Sequence, residues 1–295
     1  MKTIFNADSH FVIGKMHLRQ NNPCQDHALS RASTDNGLIV ISDGCSQGGH
    51  TDIGARITTC AAMMVLQECL DFGSTQLEAH SIASVVDNKI QGLIKANQHM
   101  LGLLDRDLYA TCLYGLLTAQ GGFIHVLGDG VVILSYLDGT IEYYLFQWNF
   151  NEPYYPIYAE HDINSFLADH NKKDQGERSL IIKKTKLLTD GSKIETEEIL
   201  STKEAIKGKT IIISPEAVQN ELQSVVICSD GAESFFSGAE PYDQIAVIKE
   251  ITSFKVWTGE FVKRRLSRLL SDFAKKGVEP LDDISCSAIH INHIT

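Results

Sequence analysis

The sequence predicts a protein of the α+β class, in which β-strands are combined with α-helices, and two observations support this class. Three short apolar runs rich in β-branched residues each end in an Asp-Gly pair, as is typical of a buried strand that stops at a turn. Longer stretches with apolar residues at helical spacing lie between these runs. The length of 295 residues fits one large domain or two small ones.

The predicted strands share a pattern at their ends. They cover residues 37–42, 123–128 and 224–229, and the pairs that follow them are Asp43-Gly44, Asp129-Gly130 and Asp230-Gly231. A fourth predicted strand, 284–291, shows the reverse order, because Asp282 and Asp283 precede it. One Asp-Gly pair alone would indicate an ordinary tight turn. Three such pairs in the same setting favour a shared role for their carboxylates.

Three helices are predicted between and after these strands. The first runs from 51 to 70 with Thr51 as its N-cap, and the second runs from about 83 to 104. The third follows a cap at Thr258 and ends at Gly277. Its basic residues, Arg265 among them, resemble an anion-binding patch, but a solvated helix face is the simpler interpretation.

The segment 147–208 differs in character from the rest of the chain. It holds an aromatic cluster followed by polar stretches of weak periodicity, and the acidic strand ends lie on both sides of it. We therefore interpret it as a flap or insertion over the main scaffold instead of an independent domain. The sequence thus predicts a single domain over residues 1–295.

Composition narrows the classes of function. The chain has 26 Lys+Arg and 37 Asp+Glu, a formal net charge of −11. An acidic protein repels phosphate backbones and anionic lipids, so nucleic-acid or membrane binding is not expected as its main role. Residues 1–15 lack the apolar core of a signal peptide, no later run is long enough to span a membrane, and we expect a cytoplasmic protein. The seven cysteines include no C-x-x-C pair, which argues against a disulfide framework and favours a reducing compartment.

The aspartates at the strand ends would converge if the strands share sheets and end on one side. Several carboxylates in one pocket repel each other, so protons or metal ions must balance them. Oxygen ligands with almost no histidine indicate Mg²⁺ or Mn²⁺ instead of zinc. Two such ions held a few Å apart are a common device for phosphoryl hydrolysis. The alternative is that the Asp-Gly turns lie far apart in the fold.

The ordered set of motifs resembles the metal-dependent protein serine/threonine phosphatases of the 2C type. The segments that carry the resemblance are 14–17 (GKMH), 23–28 (PCQDHA), 40–50 (VISDGCSQGGH), 128–130 (GDG), 228–231 (CSDG) and 282–285 (DDIS). The resemblance covers nearly the whole chain. It implies a four-layer α-β-β-α sandwich, with two central antiparallel sheets flanked by helices and a binuclear metal site in a cleft at one edge.

The resemblance also implies roles for individual residues. Asp43 would bridge two ions, Mg²⁺ or Mn²⁺, with the carbonyl of Gly44 as a further ligand. Asp230 and Asp282 would bind one of these ions. Of the remaining two acids, Asp26 would order metal-bound water, and Asp129 would contact a third, more weakly bound ion. The implied reaction is direct attack of activated water on phosphoserine or phosphothreonine, without a covalent phosphoenzyme.

Some positions depart from the family pattern. The arginine that contacts substrate phosphate in many members is replaced here by Asn21. A bacterial subgroup carries Gly-x-x-His and Cys-Gln-Asp instead, which makes His17 the candidate phosphate contact, with Lys15 and Arg19 as alternatives. A structural hydrogen-bonding role for His17 stays open.

Further departures concern the acid–base groups and the third ion. Cys45 stands where eukaryotic members have a histidine, so the acid that protonates the leaving group is unassigned, and His50 is a weaker candidate. Gln25 replaces a commoner glutamate before the first-motif aspartate. Ser234 stands where some members place another metal-site acid, which argues against full occupancy of the third position.

The resemblance predicts a phosphoserine/phosphothreonine protein phosphatase, whose partners would be a phosphorylated protein and an opposing serine/threonine kinase. One alternative is a pseudophosphatase that acts as a regulatory or phosphoprotein-binding module. Another alternative keeps the chemistry but acts on a small phosphate ester. The aromatic cluster of the predicted flap would shape substrate access.

Overall fold

The computed structural model describes residues 2–71, 79–160, 164 and 178–294. Fifteen strands are present in these ranges. They are β1 Lys2–Val12, β2 Asp26–Ala32, β3 Asn36–Asp43, β4 Cys112–Thr118, β5 Gly121–Leu127, β6 Gly130–Tyr136, β7 Ile141–Trp148, β8 Ser179–Leu187, β9 Lys193–Ser201, β10 Lys209–Ile213, β11 Leu222–Cys228, β12 Phe235–Ser237, β13 Glu240–Pro241, β14 Val278–Pro280 and β15 Ile284–Ile294.

The strands form two large antiparallel sheets and one small sheet. The larger sheet has seven strands in the order β1-β15-β11-β6-β7-β8-β9, and the second has five in the order β10-β5-β4-β3-β2. Three short strands, β13-β12-β14, form the small sheet. The two large sheets pack face to face through contacts of β1 and β15 with β2 and β3.

Side chains alternate across the larger sheet as strand geometry requires. In β6, Val132 and Leu134 belong to the cluster between the sheets, whereas Val131 and Ile133 belong to a second cluster on the outer face. Both faces of this sheet are therefore buried, which explains why its central strands are continuous apolar runs in the sequence.

Six α-helices are described. They are α1 Lys15–Gln20, α2 Thr51–Asp71, α3 Ala79–Leu101, α4 Thr202–Ala205, α5 Gln244–Thr252 and α6 Phe261–Ala274. Helices α2 and α3 cover the five-stranded sheet, and α6, which also contacts α5, packs on β1 and β15. This arrangement confirms the predicted α+β class and its four-layer α-β-β-α sandwich.

Contrary to the expectation from the sequence that no run is long enough to span a membrane, helix α2 is long and apolar enough to do so by length and composition alone. More than half of its most apolar window is buried, at 56%, because the helix packs on β2, β3 and α3. That burial is typical of a core helix in a globular protein.

Four helix boundaries differ from the prediction by more than one residue, and two of them are the start of α3 at Ala79 instead of about residue 83 and the end of α6 at Ala274 instead of Gly277. Helix α6 has Glu260 as its N-cap and begins at Phe261, so the predicted cap at Thr258 is wrong. Helix α3 ends at Leu101 instead of residue 104. Arg265 of α6 is buried and its Nη2 donates to Glu250 at 2.7 Å, so this residue does not belong to the solvated basic face.

The predicted flap at 147–208 contains regular structure. Strands β8 and β9 lie in this segment and continue the seven-stranded sheet beyond β7, so this part is sheet and not flap. The aromatic stretch 148–158 lies within the described residues, whereas 161–163 and 165–177 do not. All seven cysteines are free thiols, in agreement with the absence of a disulfide framework.

Candidate active site

Four of the predicted aspartates line one cavity of about 360 Å³ at the edge of the sandwich. Asp43 ends β3, Asp129 lies in the turn between β5 and β6, Asp230 follows β11 and Asp282 precedes β15. Their convergence follows from strand register, because Cys228 at the end of β11 pairs with Val131 on one side and with the β15 residue Cys286 on the other.

Asp26 lies behind this cavity instead of lining it. In the antiparallel pair β2–β3 it faces Asp43 directly. Its carboxylate is 1% exposed, and Oδ2 accepts a hydrogen bond from Ser229 Oγ at 2.6 Å. Asp26 therefore joins the first motif to the end of β11.

Burial and mutual repulsion raise the proton affinity of these acids. Burial, reinforced by the neighbouring charges of Asp26 and Asp230, raises the pKa of Asp43 well above its usual value. Burial and Asp230 do the same to the pKa of Asp129. For Asp26, burial raises the pKa to about 7. A cluster of this kind is stable at neutral pH only when protons or cations balance its charge.

The oxygen-rich surroundings fit hard divalent cations. Oδ1 of Asp26 and Oδ1 of Asp230 are buried and have no hydrogen-bond partner among the described residues. Unpartnered buried carboxylate oxygens require a ligand, and Mg²⁺ and Mn²⁺ prefer oxygen ligands of this kind. The donor set of the cavity therefore fits the ions that the sequence predicts.

The backbone around Asp43 is held firmly. Its N–H donates to Thr111 Oγ1 at 3.0 Å, and its carbonyl accepts from the Thr111 N–H at 2.8 Å. Gly44 also lines the cavity, and its N–H donates to the Gln25 carbonyl at 3.2 Å. Thr111 itself lines the cavity, and nothing in its sequence context indicated a role at the site.

His17 lies next to the site but is not among the residues that line the cavity. It is buried, and its Nδ1 is 2.9 Å from Oδ2 of Asp283. Asp283 accepts hydrogen bonds from two backbone N–H groups, from Gly14 to Oδ1 and from Gln25 to Oδ2, each at 2.6 Å. His17, Asp282 and Asp283 offer ligand atoms within 4.8 Å of one another, but these N–H contacts make Asp283 an organising residue.

The other sequence candidates for a positive charge or an acid are also placed elsewhere. Lys15 forms an ion pair with Glu279, and Arg19 lies in the last turn of α1. His50 is held through its backbone N–H, which donates to Asp107 Oδ1 at 2.9 Å. Of the departures from the family pattern, only Cys45 lines the cavity.

Glu233 is an acid of the site region that the sequence analysis missed. It follows Asp230 by three residues, and burial together with the Asp230 charge raises its pKa to about 7. Its Oε2 accepts a hydrogen bond from Gln147 Nε2. Ser234, the position considered in the sequence, hydrogen-bonds to the backbone instead. Its Oγ donates to the Gly231 carbonyl at 2.8 Å and accepts from the Asp282 N–H at 3.2 Å.

An aromatic and polar rim closes one side of the cavity. Tyr109 stacks on Tyr155 with ring centroids 5.7 Å apart, and Tyr158 packs against both rings. The rim also contains the stretch 150–153 and Arg178. Of the five aromatic residues in the cluster that the sequence assigned to substrate access, Phe150, Tyr155 and Tyr158 line the cavity, and Trp148 and Tyr154 do not.

Comparisons with known proteins were made for the sequence and for the fold. Residues 13–271 match the family described as protein phosphatase 2C. Among curated protein sequences, none matches the chain. A solved bacterial serine phosphatase is 13% identical, with 98% of each chain covered and a TM-score of 0.55.

Two further solved structures resemble the chain. The Mycobacterium tuberculosis serine/threonine phosphatase PstP/Ppp is 13% identical over 98% of this chain and 100% of that one, with a TM-score of 0.51. The catalytic domain of PstP in complex with 2 manganese ions is 14% identical over 98% of this chain and 99% of that one, with a TM-score of 0.50. At these identities the likeness concerns the fold.

Proposed function

Because the chain belongs to the protein phosphatase 2C family and is thus a metal-dependent serine/threonine protein phosphatase, we propose that its aspartate-lined cavity is the active site. The ions would be two Mg²⁺ or Mn²⁺, with Asp43 bridging them and Asp230 and Asp282 as ligands of one. The observation that carries this proposal is the convergence of four buried or half-buried aspartates on one cavity.

The remaining residues would complete the site. The carbonyl of Gly44 is a further ligand candidate, and Asp129 is the candidate for a third ion. Nearby, the charge of Asp230 adds to burial in raising the pKa of Glu233. Asp26 would orient water through its unpartnered Oδ1. When bound, a pair of such ions lowers the pKa of water and neutralises the charge of a phosphate ester.

The chain's own residues have defined tasks in this reaction. Thr111 fixes the backbone of Asp43, so the carboxylate is positioned before any ligand binds. The tyrosine rim excludes water from one side of the cavity and offers an apolar wall to the substrate. The substrate would be a phosphorylated serine or threonine of a protein, and an opposing kinase would supply that phosphate.

Support for manganese comes from the fold relative PstP, whose catalytic domain is solved with 2 manganese ions. The pseudophosphatase alternative is not favoured, because the acids that a metal site requires are present and converge. The proposal also takes residues 1–295 as one domain of a cytoplasmic protein without nucleic-acid or membrane partners, on the basis of its net charge of −11 and its free thiols.

The decisive experiment is metal-dependent hydrolysis of a phosphothreonine peptide beside an aryl phosphate. We expect turnover of the peptide with added Mn²⁺ or Mg²⁺ and loss of turnover in EDTA, with recovery when the ion is restored. Activity that a chelator leaves unchanged would refute the metal-dependent mechanism. Hydrolysis of the aryl phosphate alone would favour a small phosphate ester as substrate.

A further inference from the structure

Arg178 is the one arginine or lysine among the described residues that line the cavity. Its side chain is only 2% exposed. The backbone around it is anchored, because its carbonyl accepts from Thr202 Oγ1 at 2.6 Å and the next N–H, of Ser179, donates to Asn149 Oδ1 at 2.8 Å. The guanidinium is therefore presented from the fixed start of β8.

The charges that face Arg178 across the cavity are acidic. Besides the four aspartates, the lining contains Glu152, which forms an ion pair with the Arg178 guanidinium. Burial lowers the pKa of Arg178 to about 10, so the group stays positively charged at neutral pH. A buried cation beside a cavity is a strong binding partner for an anion, since charge-assisted hydrogen bonds are stronger where water is excluded.

Glu152 differs from Arg178 in its freedom to move. Its side chain is 48% exposed, and it follows Phe150 and Asn151, which have φ values of 64° and 52°. Two successive non-glycine residues in the left-handed region are costly and persist mainly where a site requires them. The Glu152 carboxylate can leave for solvent without uncovering the core, whereas Arg178 cannot.

We propose that Arg178 binds the phosphate of the substrate, and that the Glu152 carboxylate pairs with the Arg178 guanidinium until a phosphate dianion takes the place of that carboxylate. This inference rests on the proposed function, since it places the substrate in the same cavity. The planar guanidinium suits bidentate contact with phosphate oxygens, which a lysine cannot reproduce. The candidates for this contact from the sequence, His17, Lys15 and Arg19, do not line the cavity.

The test measures binding of inorganic phosphate to Mn²⁺-loaded protein by calorimetry, together with kcat and KM for a phosphothreonine peptide. Arg178→Met keeps an apolar side chain but removes the charge. Arg178→Lys keeps the charge but removes the planar guanidinium that allows bidentate contact. We expect Arg178→Met to weaken phosphate binding and to raise KM by about tenfold to hundredfold, the effect of losing a hydrogen bond to a charged group. Arg178→Lys should show a smaller loss.

Glu152→Gln removes the other charge of the ion pair and should have the opposite effect on phosphate binding. Arg268→Met, on the exposed face of α6, is the control. Removing the competing carboxylate should tighten phosphate binding several-fold, whereas the control should bind phosphate as the wild type does. Should the Arg178 variants fail to fold, as judged by their melting temperatures, the result for Glu152→Gln decides alone. Its phosphate affinity rises if the inference is right.

Unchanged phosphate affinity in folded Arg178→Met, or unchanged or weaker affinity in Glu152→Gln, would overturn the inference. Calorimetry needs no turnover, so this result is separate from the fate of the proposed function. A wild-type protein that binds phosphate through Arg178 but hydrolyses no phosphopeptide would refute the proposed function and keep the inference.

Discussion

Three features of the fold position Asp43. It ends a fully buried strand, its backbone is fixed by Thr111 on both sides, and Asp26 faces it directly in the neighbouring strand. Burial and the charges of Asp26 and Asp230 oppose its ionised form, and this raises the pKa of the group well above its usual value. Such an arrangement weakens the metal-free fold in favour of a site prepared for cations.

Replacing Asp43 by Asn should separate function from stability. We expect turnover to fall by at least about hundredfold, because one ion contributes several kcal/mol of transition-state stabilisation. In EDTA the same variant should melt at a higher temperature than the wild type, because a buried carboxylate that is costly to ionise has been removed. Phosphopeptide assays and thermal melts with and without Mn²⁺ measure both effects.

Asp272→Asn is the matched control for this variant, because Asp272 lies on the exposed side of α6 and pairs with Lys275. It should leave turnover and the metal-dependent rise in melting temperature unchanged. Near-normal turnover of Asp43→Asn would contradict the assignment of Asp43 as a bridging ligand.

At the level of single residues, the sequence could indicate acids that follow a strand, because strand and turn are local patterns. Asp43, Asp129 and Asp230 were predicted for that reason and Asp282 because it precedes a strand, and the cavity contains all four. Arg178 and Thr111 could not be predicted, because their roles depend on which distant segments the fold brings together. Arg178 also follows a polar stretch whose local pattern indicates no site.

Elements from the two ends of the chain meet at Asp283. Its carboxylate binds the N–H of Gly14 at the start of α1 and the N–H of Gln25 just before β2, each at 2.6 Å. Gly14 is a glycine for a steric reason, because a Cβ at this position would overlap the backbone of Asp282. The start of β15 and the N-terminal motif are thus joined beside the proposed metal ligands.

Asp283→Asn should loosen this junction. An amide offers one acceptor oxygen for the two N–H groups, and it turns its own NH₂ towards one of them. We expect the free energy of unfolding in saturating Mn²⁺ to fall by roughly 1.5–3 kcal/mol, the range for hydrogen bonds to a charged group. Urea denaturation measures this loss.

The exposed substitution Asp272→Asn again provides the comparison, with an expected change within about 0.5 kcal/mol. A loss of that small size in Asp283→Asn would show that the carboxylate does not join these segments. Reduced Mn²⁺ affinity alongside the loss of stability is expected, because Asp283 adjoins the proposed ligand Asp282.

At the level of elements, the strands that were predicted, β3, β5, β11 and β15, are largely buried, and the exposed strand β9 was not predicted. Burial alone did not decide the outcome, because β4 and β6 are equally buried and were not predicted. β3 and β11 are continuous apolar runs, whereas β9 is exposed along most of its length and carries three glutamates. Its side chains do not distinguish it from a loop, and its place in the sheet comes from backbone pairing with β8. The segment 179–201 was therefore assigned to a flap.

Part of the excess of acidic residues in the whole molecule is concentrated in the cavity region. The net charge is −11, and the cavity region holds several acids whose pKa values are raised, to about 7 for Asp26 and Glu233. An acid with a raised pKa in the folded state binds more protons there than in the unfolded chain. Its contribution to stability is therefore lost as pH rises from the unfolded value through the folded one.

Buried histidines act in the opposite direction and must be separated from this effect. Burial lowers the pKa of His27 and His290 to about 4, so their contribution to stability grows as pH rises towards the unfolded value of 6.5. A simple profile of stability against pH mixes both classes of group. The histidines are not among the proposed ligands. Their contribution therefore cancels in the difference in unfolding free energy between metal-loaded and metal-free protein at each pH.

We expect the stabilisation by Mn²⁺ to increase between pH 5 and pH 8, because protons and metal ions compete for the same carboxylates and proton binding is lost through about pH 7. The measurement is the unfolding free energy in EDTA and in a fixed excess of Mn²⁺ at each pH. Asp26→Asn should flatten the dependence, because it removes one of the titrating acids, whereas Asp272→Asn should leave it unchanged. A metal effect that is constant across this range would show that the raised acids are not linked to the metal site, and the acidity of the chain would then act only through its surface.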